Sequence, residues 1–259
     1  MTSIFDSKVL EYLKFDENSN KVLIYIADLS NCTQDIPKFW QCLSDEERKK
    51  AKKYYNSFLR DRYVIAHGIL RYILSYYIDK PPKQINFVNN KYGKPFLKNS
   101  DIQFNISHSH NLASYIVALN SIVGIDIELH KNILSIQDLS HLVFTPIEYK
   151  NFATKKDNEK LELFYKLWTK KEALIKANGQ GLFYPMNTIE AFKLLPGEKI
   201  FLKNEGGNIY QELWYYFPLE VRQNYSGAIA IEHKVNKIIY IEMSPQRNVF
   251  NTIRVQHFN

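Results

Sequence analysis

Gly124-Ile125-Asp126-Ile127-Glu128 alternates apolar residues and acids with the period of a β-strand. Asp126 and Glu128 therefore project from one face, roughly 6.5–7 Å apart along the chain. Two carboxylates beside apolar neighbours repel each other unless a cation or basic groups compensate. A hard divalent ion with oxygen ligands is the natural partner. Taken alone, the same pentapeptide also suits a half-exposed strand with its acids in water. A third acid lies in Leu167-Trp168-Thr169-Lys170-Lys171-Glu172-Ala173-Leu174-Ile175-Lys176. Residues four apart share a helix face, which puts Trp168, Glu172 and Lys176 on one stripe beside the core-facing Leu163, Leu167 and Leu174. Glu172 thus borders the buried face, where a shifted pKa or a metal fits. A surface pair with Lys176, worth only about 0.3–0.5 kcal/mol, is the plainer alternative.

Groups suited to a phosphate-rich ligand surround these acids in the chain. Asn105-Ile106-Ser107-His108-Ser109-His110 ends a strand with hydroxyls and imidazoles, and strand ends entering loops commonly carry binding groups. Ser107 and His108 can donate to a phosphate. His108 and His110 have the spacing of a zinc pair, but no third nitrogen or sulfur ligand lies nearby, which argues against zinc. Tyr92-Gly93-Lys94-Pro95 reads as a turn that holds Lys94 at a change of chain direction. Arg48, Lys49, Lys50, Lys52 and Lys53 crowd one helix, and Arg60 and Arg62 open the next. A solvated basic face accounts for most of these.

The elements that must position such groups follow from periodicity and punctuation. Lys21–Asp28 reads as a buried strand. Ser44 and Glu47 have capping-box spacing and open a helix to about Tyr55. A second helix runs from about Phe58 to Tyr77 and stops before Pro81-Pro82. Strands are predicted around 85–88, 103–106, 113–119 and 122–129. Thr145-Pro146 caps a helix, and a long helix spans about 159–177 until Gly179 ends it. The remainder reads as strands at 188–195, 199–202, 209–217, 227–232 and 237–243, with a peripheral tail from about 245. This order predicts an α+β fold with antiparallel sheets, divided into an N-terminal lobe (1–120) and a C-terminal lobe (121–259).

With 259 residues, either lobe is long enough to bury a core. No segment approaches the ~18 consecutive apolar residues of a membrane span, and the start lacks the pattern of a secretory signal. Two cysteines outside any CxxC pair argue against a disulfide scaffold or zinc ribbon. A cytoplasmic protein is expected. The net charge of +7 favours an anionic partner: nucleic acid, a phosphorylated cofactor, an acidic protein or a membrane surface.

F-N-I-S-H-S, G-I-D-I-E and W-T-K-K-E-A-L-I-K-A-N-G-Q-G-L occur in that order, with Y-G-K-P upstream. Together they resemble the surfactin-synthetase-activating type of 4′-phosphopantetheinyl transferase, over about Lys50 to Leu182. The resemblance implies a pseudo-twofold monomer of two similar lobes with the active site between them. It also implies an enzyme that moves the phosphopantetheine arm of coenzyme A to a serine of an acyl or peptidyl carrier protein. Such carriers are typically acidic, and adenosine 3′,5′-bisphosphate is the leaving group. By motif position, Asp126, Glu128 and Glu172 would bind Mg2+. Ser107, His108 and Arg62 would meet the 3′-phosphate side of coenzyme A, Lys94 and Pro95 the adenine end, and Lys176 the pyrophosphate. Lys50 is a further phosphate candidate. Glu172 would be the base and Lys176 its catalytic partner. The sequence departs from the family pattern at His110-Asn111-Leu112 and at Glu47, where a basic residue is usual. A basic nucleic-acid-binding protein would leave the three acids unexplained and shows no recognised nucleic-acid motif. A catalytically dead carrier-binding adaptor would be expected to lack one of them.

Overall fold

The computed structural model describes residues 4–16, 19–133, 135–202, 212–244 and 249–258. Seven α-helices are assigned among them: α1 (Leu10–Leu13), α2 (Ile36–Cys42), α3 (Asp45–Lys52), α4 (Ser57–Ile78), α5 (Ile136–Val143), α6 (Pro146–Ala153) and α7 (Asp157–Asn178). The strands are β1 (Lys21–Asp28), β2 (Phe87–Asn89), β3 (Pro95–Leu97), β4 (Ile102–Ser109), β5 (Leu112–Leu119) and β6 (Val123–Leu129), then β7 (Lys199–Leu202), β8 (Glu212–Pro218), β9 (Tyr225–Ile231), β10 (Lys237–Met243) and β11 (Phe250–His257). Local chemistry marks the boundaries. Ser44 and Glu47 close a reciprocal capping box on α3, and Thr145 and Glu148 do the same on α6. Asp79, in the left-handed region at φ 47°, ends α4, and Gly179 at φ 80° ends α7.

Two sheets share the work of the core. One has the order β11-β10-β1-β5-β4 and the other β6-β9-β8-β7, while β2 and β3 form a separate hairpin. Among the described residues, every pairing of strands is antiparallel except β1 with β10. Alternation along β1 shows why the sheets stack. Leu23, Tyr25 and Ala27 pack with Val64, Ile65 and Ile69 of α4. Val22, Ile24 and Ile26 pack with Ile125 and Ile127 of β6 and Ile229 and Ile231 of β9. On the far face of the second sheet, Ala228 and Ala230 meet Leu167, Leu174 and Ala177 of α7. The layers are thus helix, sheet, sheet, helix, an α+β fold whose sheets meet where β4 approaches β6.

Three outcomes differ from expectation. The basic helix ends at Lys52 rather than near Tyr55. Residues 188–195 form no strand: Met186–Thr188 is a 3-10 turn, and the following backbone bonds to side chains instead of a neighbouring strand. Glu148 Oε1 accepts from Ala191 N, and Lys170 Nζ donates to the carbonyls of Ala191 and Leu194. Ile189 and Ala191 are buried, so the alternation was real, but no partner strand exists there among the described residues. Finally, residues 250–257 of the predicted tail form the outer strand of the first sheet, with Phe250 fully buried against Phe5 and Tyr25. Of the strand expected at 209–217, residues 209–211 lie outside the described residues.

Candidate active site

β6 carries Val123, Ile125 and Ile127 toward the other sheet and turns Gly124, Asp126 and Glu128 toward α7. Gly124 permits the close approach. A Cβ there would lie 2.1 Å from the carbonyl oxygen of Ala173 and 2.5 Å from the nitrogen of Ala177, both backbone atoms of α7. α7 presents Trp168, Glu172 and Lys176 to the cleft, because Leu167, Leu174 and Ala177 are buried on its other side. β4 closes the third wall with Ile106, Ser107 and His108. The resulting cleft has a volume of about 390 Å³ and joins Asp126, Glu128, Glu172, Lys176, Ser107 and His108.

Asp126 is almost wholly buried; its Oδ1 accepts from Lys176 Nζ at 2.6 Å and from Ser107 Oγ at 2.9 Å. Its Oδ2 is buried without a hydrogen-bond partner. Glu128 Oε2 accepts from Ser109 Oγ at 2.7 Å. Burial raises the pKa of Asp126 against the opposing charge of Lys176. Burial, then the neighbouring Asp126 charge, raises that of Glu128. For Glu172, burial and Asp126 outweigh Lys176 and bring the carboxyl to about 7. Three acids whose charged forms are disfavoured, one with an orphaned buried oxygen, make an oxygen donor set that fits a hard divalent ion. Among the described residues, no three such groups already converge on one point. The Lys176 ammonium supplies the local compensation.

α7 is itself pinned from below. Lys171 Nζ, fully buried, is bonded to Glu148 Oε2 and donates to the carbonyls of Val143 (2.6 Å) and Met186 (3.1 Å). One ammonium therefore ties α7 to α6, to the end of α5 and to the turn at Met186.

The remaining sequence-designated residues fall into two groups. Lys50 and Pro95 line an adjoining cavity of about 640 Å³, together with Glu47, Tyr63, Arg71 and Gly93. His67 and Ile106 line both cavities. Lys94 and Arg62 line neither cavity. Lys94 Nζ donates to the carbonyls of Val123 and Ala177, and burial pushes its pKa down to about 8. The side chain anchors the Tyr92–Pro95 turn to β6 and α7. Arg62, also buried, donates from Nε to Asn111 Oδ1 and from Nη1 to the Leu29 carbonyl, with its guanidinium 4.6 Å from the Phe58 ring centroid. It braces the turn His110-Asn111 that joins β4 to β5, with His110 at φ 54°. The departure from the family pattern at His110–Leu112 is this turn. The His108 ring opens into the cleft, yet the protein around it, followed by His67, Lys176 and Lys50, pushes its pKa down to about 4.

His67 was not singled out from sequence. Its signal is the polar stripe Tyr63-His67-Arg71, spaced by four along the otherwise apolar α4. Its Nδ1 lies 3.3 Å from Glu47 Oε1, and its ring packs at a tilt against Tyr63, with centroids 4.1 Å apart. Burial would raise the Glu47 pKa, but the His67 hydrogen bond and the Arg71 charge bring it to about 2. Arg71 meets Glu47 Oε2 at 2.7 Å. Glu47, at the position where a basic residue is usual, thus carries its own compensation.

Residues 122–230 match the family model of the 4′-phosphopantetheinyl transferase superfamily, and residues 30–120 match the 4′-phosphopantetheinyl transferase N-terminal model. The chain is 33% identical over 168 residues to 4′-phosphopantetheinyl transferase HetI of Nostoc sp., covering 63% of this chain and 71% of that one. It is 34% identical over 159 residues to 4′-phosphopantetheinyl transferase Sfp of Bacillus subtilis, covering 60% and 68%. A longer match, 27% identical over 212 residues, covers 73% of this chain and 80% of the L-aminoadipate-semialdehyde dehydrogenase-phosphopantetheinyl transferase of Schizosaccharomyces pombe. With the three acids and the lysine of the cleft all inside the matched residues 122–230, and relatives 33% and 34% identical, the chain is a member of the 4′-phosphopantetheinyl transferase superfamily.

Proposed function

We propose that the protein transfers the 4′-phosphopantetheine arm of coenzyme A to a serine of an acyl or peptidyl carrier protein, as a Mg2+-dependent cytoplasmic monomer. The observation that carries this is the meeting of Asp126, Glu128 and Glu172 with Lys176 in one cleft, with Asp126 Oδ2 left unpartnered. Held by these acids, Mg2+ would neutralise and orient the diphosphate of coenzyme A. Glu172, with a pKa near 7, accepts the proton of the incoming serine hydroxyl. The serine oxygen bonds to the β-phosphorus as the bond to the bridging oxygen breaks, and adenosine 3′,5′-bisphosphate departs. Lys176 supports the charge on the leaving side. The adjoining cavity, with Lys50, Pro95 and His67, has room for the nucleotide end of the same ligand. The net charge of +7 suits an acidic carrier.

The test is mass spectrometry of an apo carrier protein incubated with the protein, coenzyme A and Mg2+. A gain of one phosphopantetheine group, abolished by chelator and restored by Mg2+, is expected. Unmodified carriers across fatty-acid, polyketide and peptide types, from protein that binds coenzyme A, would overturn the reading.

A further inference from the structure

β4 is the last strand of the first sheet and β6 the first of the second, and no main-chain ladder joins them. Side chains take its place. Asn105 Oδ1 accepts from Ile125 N at 3.0 Å, Ser107 Oγ from Ile127 N at 3.3 Å, and Ser109 Oγ from Leu129 N at 3.1 Å. Alternate residues of β4 thus meet alternate amides of β6 in constant register, with the strands running in the same direction. Two of the three rungs also reach an acid. The Ser107 hydroxyl donates to Asp126 Oδ1 and accepts from Lys176 Nζ at 3.0 Å. The Ser109 hydroxyl donates to Glu128 Oε2. The Asn105 rung reaches neither acid.

A hydroxyl has one proton and two lone pairs. Ser107 spends its proton on Asp126 and both lone pairs on Ile127 and Lys176. Ser109 spends its proton on Glu128. We infer that Ser107 and Ser109 are positioning residues that aim Asp126 and Glu128 from the opposite sheet, setting the spacing of the oxygen donors. This rests on the reading that those acids take Mg2+. Each acid side chain has rotamer freedom of its own, and a short bond to a serine fixed by a backbone amide removes it. Ser109 is the separable case, since it makes no bond to Lys176 and does not itself line the cavity. Asn105 is a built-in control for the seam alone.

The experiment measures Mn2+ binding by electron paramagnetic resonance, without coenzyme A, so turnover does not enter. Groups that orient metal ligands typically contribute 10–100-fold to affinity. Ser109→Ala is expected to weaken Mn2+ binding about ten-fold, at the lower end of that range. Should the Ala variant not fold, Ser109→Thr and Ser109→Val, of like shape with and without the hydroxyl, carry the same contrast: the first near wild type, the second weakened. Asn105→Ala should lower the melting temperature while leaving Mn2+ affinity within about two-fold of wild type, as for a residue outside any ligand shell. The ratio of coenzyme A to dephospho-coenzyme A affinity should not change in Ser109→Ala. Wild-type Mn2+ affinity in the hydroxyl-less variants, or equal weakening in Asn105→Ala, overturns the assignment. No Mn2+ uptake by the wild type removes the metal reading and this inference together, a result distinct from either of those.

Discussion

Glu172 is a carboxyl group near neutrality because burial and the neighbouring Asp126 outweigh the pull of Lys176. That has a consequence for stability. Its folded pKa of about 7 lies above the unfolded value of ~4.3, so between these limits the native state holds a proton that the unfolded chain has released. The stability it contributes is complete below the unfolded pKa and is lost as pH rises through about 7. Asp126 and Glu128 shift in the same direction. Calorimetry of metal-free protein should therefore show a melting temperature that falls from pH 5 to 8. The fall should be shallower in Glu172→Gln and in excess Mg2+; an identical slope in all three would refute proton uptake by Glu172 as its cause. The same variant tests chemistry. If Glu172 is the base as proposed, its loss should cut carrier modification roughly 10²–10⁴-fold. Added Mg2+ should recover only part of that rate, and full recovery at saturating metal would leave Glu172 as a ligand alone.

At the scale of elements, the site depends on how closely β6 lies on α7. Gly124→Ala would drive a methyl into backbone atoms that cannot rotate away, so the strand must lift. Overpacking of this kind costs about 1–3 kcal/mol, and in this strand it also moves Asp126 and Glu128 from Glu172. Both denaturant midpoint and turnover should drop; a variant that loses stability but keeps full turnover would show that the spacing is not critical. The buried Lys171–Glu148 pair sets the rotation of α7 from the other side. Glu148→Ala leaves an uncompensated ammonium and two amides, those of Thr145 and Ala191, without their acceptor. A loss of about 3–5 kcal/mol is expected, relieved by Lys171→Met only in the part due to the unpaired ammonium, as a double-mutant cycle would show.

At the scale of the whole molecule, four layers enclose three cores, and the middle one is made by both sheets. The chain closes on itself when β10 inserts beside β1 and β11 covers β10. Both strands lie beyond the last residue of the matched family model, residue 230. Truncation after residue 236 would strip β1 of a partner and remove Ile239, Ile241 and Phe250 from the first core. Such a chain is expected to lose cooperative unfolding by circular dichroism and to aggregate through the opened edge. A soluble, cooperatively folding truncation would mean that the first sheet is stable without its closing pair.

Sequence alone determined what depends on near neighbours. Capping boxes, the stop at Gly179, the period of β1, β4, β5 and β6, and the stripe Trp168-Glu172-Lys176 are set by residues within a few positions of one another. Tertiary structure decided what depends on who sits opposite. The alternation at 188–195 was legible, yet its amide and carbonyl partners came from Glu148 and Lys170, far along the chain. Lys176 reads as the helix neighbour of Glu172, but Asp126 on another element captured its ammonium. Lys94 and Arg62 read as ligand cations by motif position, and it took the fold to place their nitrogens on carbonyls and an amide oxygen that no spacing rule brings near. Ser109 and His67 gained their places only when β4 met β6 and α4 met the cleft. A hydrogen bond needs its partner within about 3 Å, and only the packing of four layers brings those partners that close.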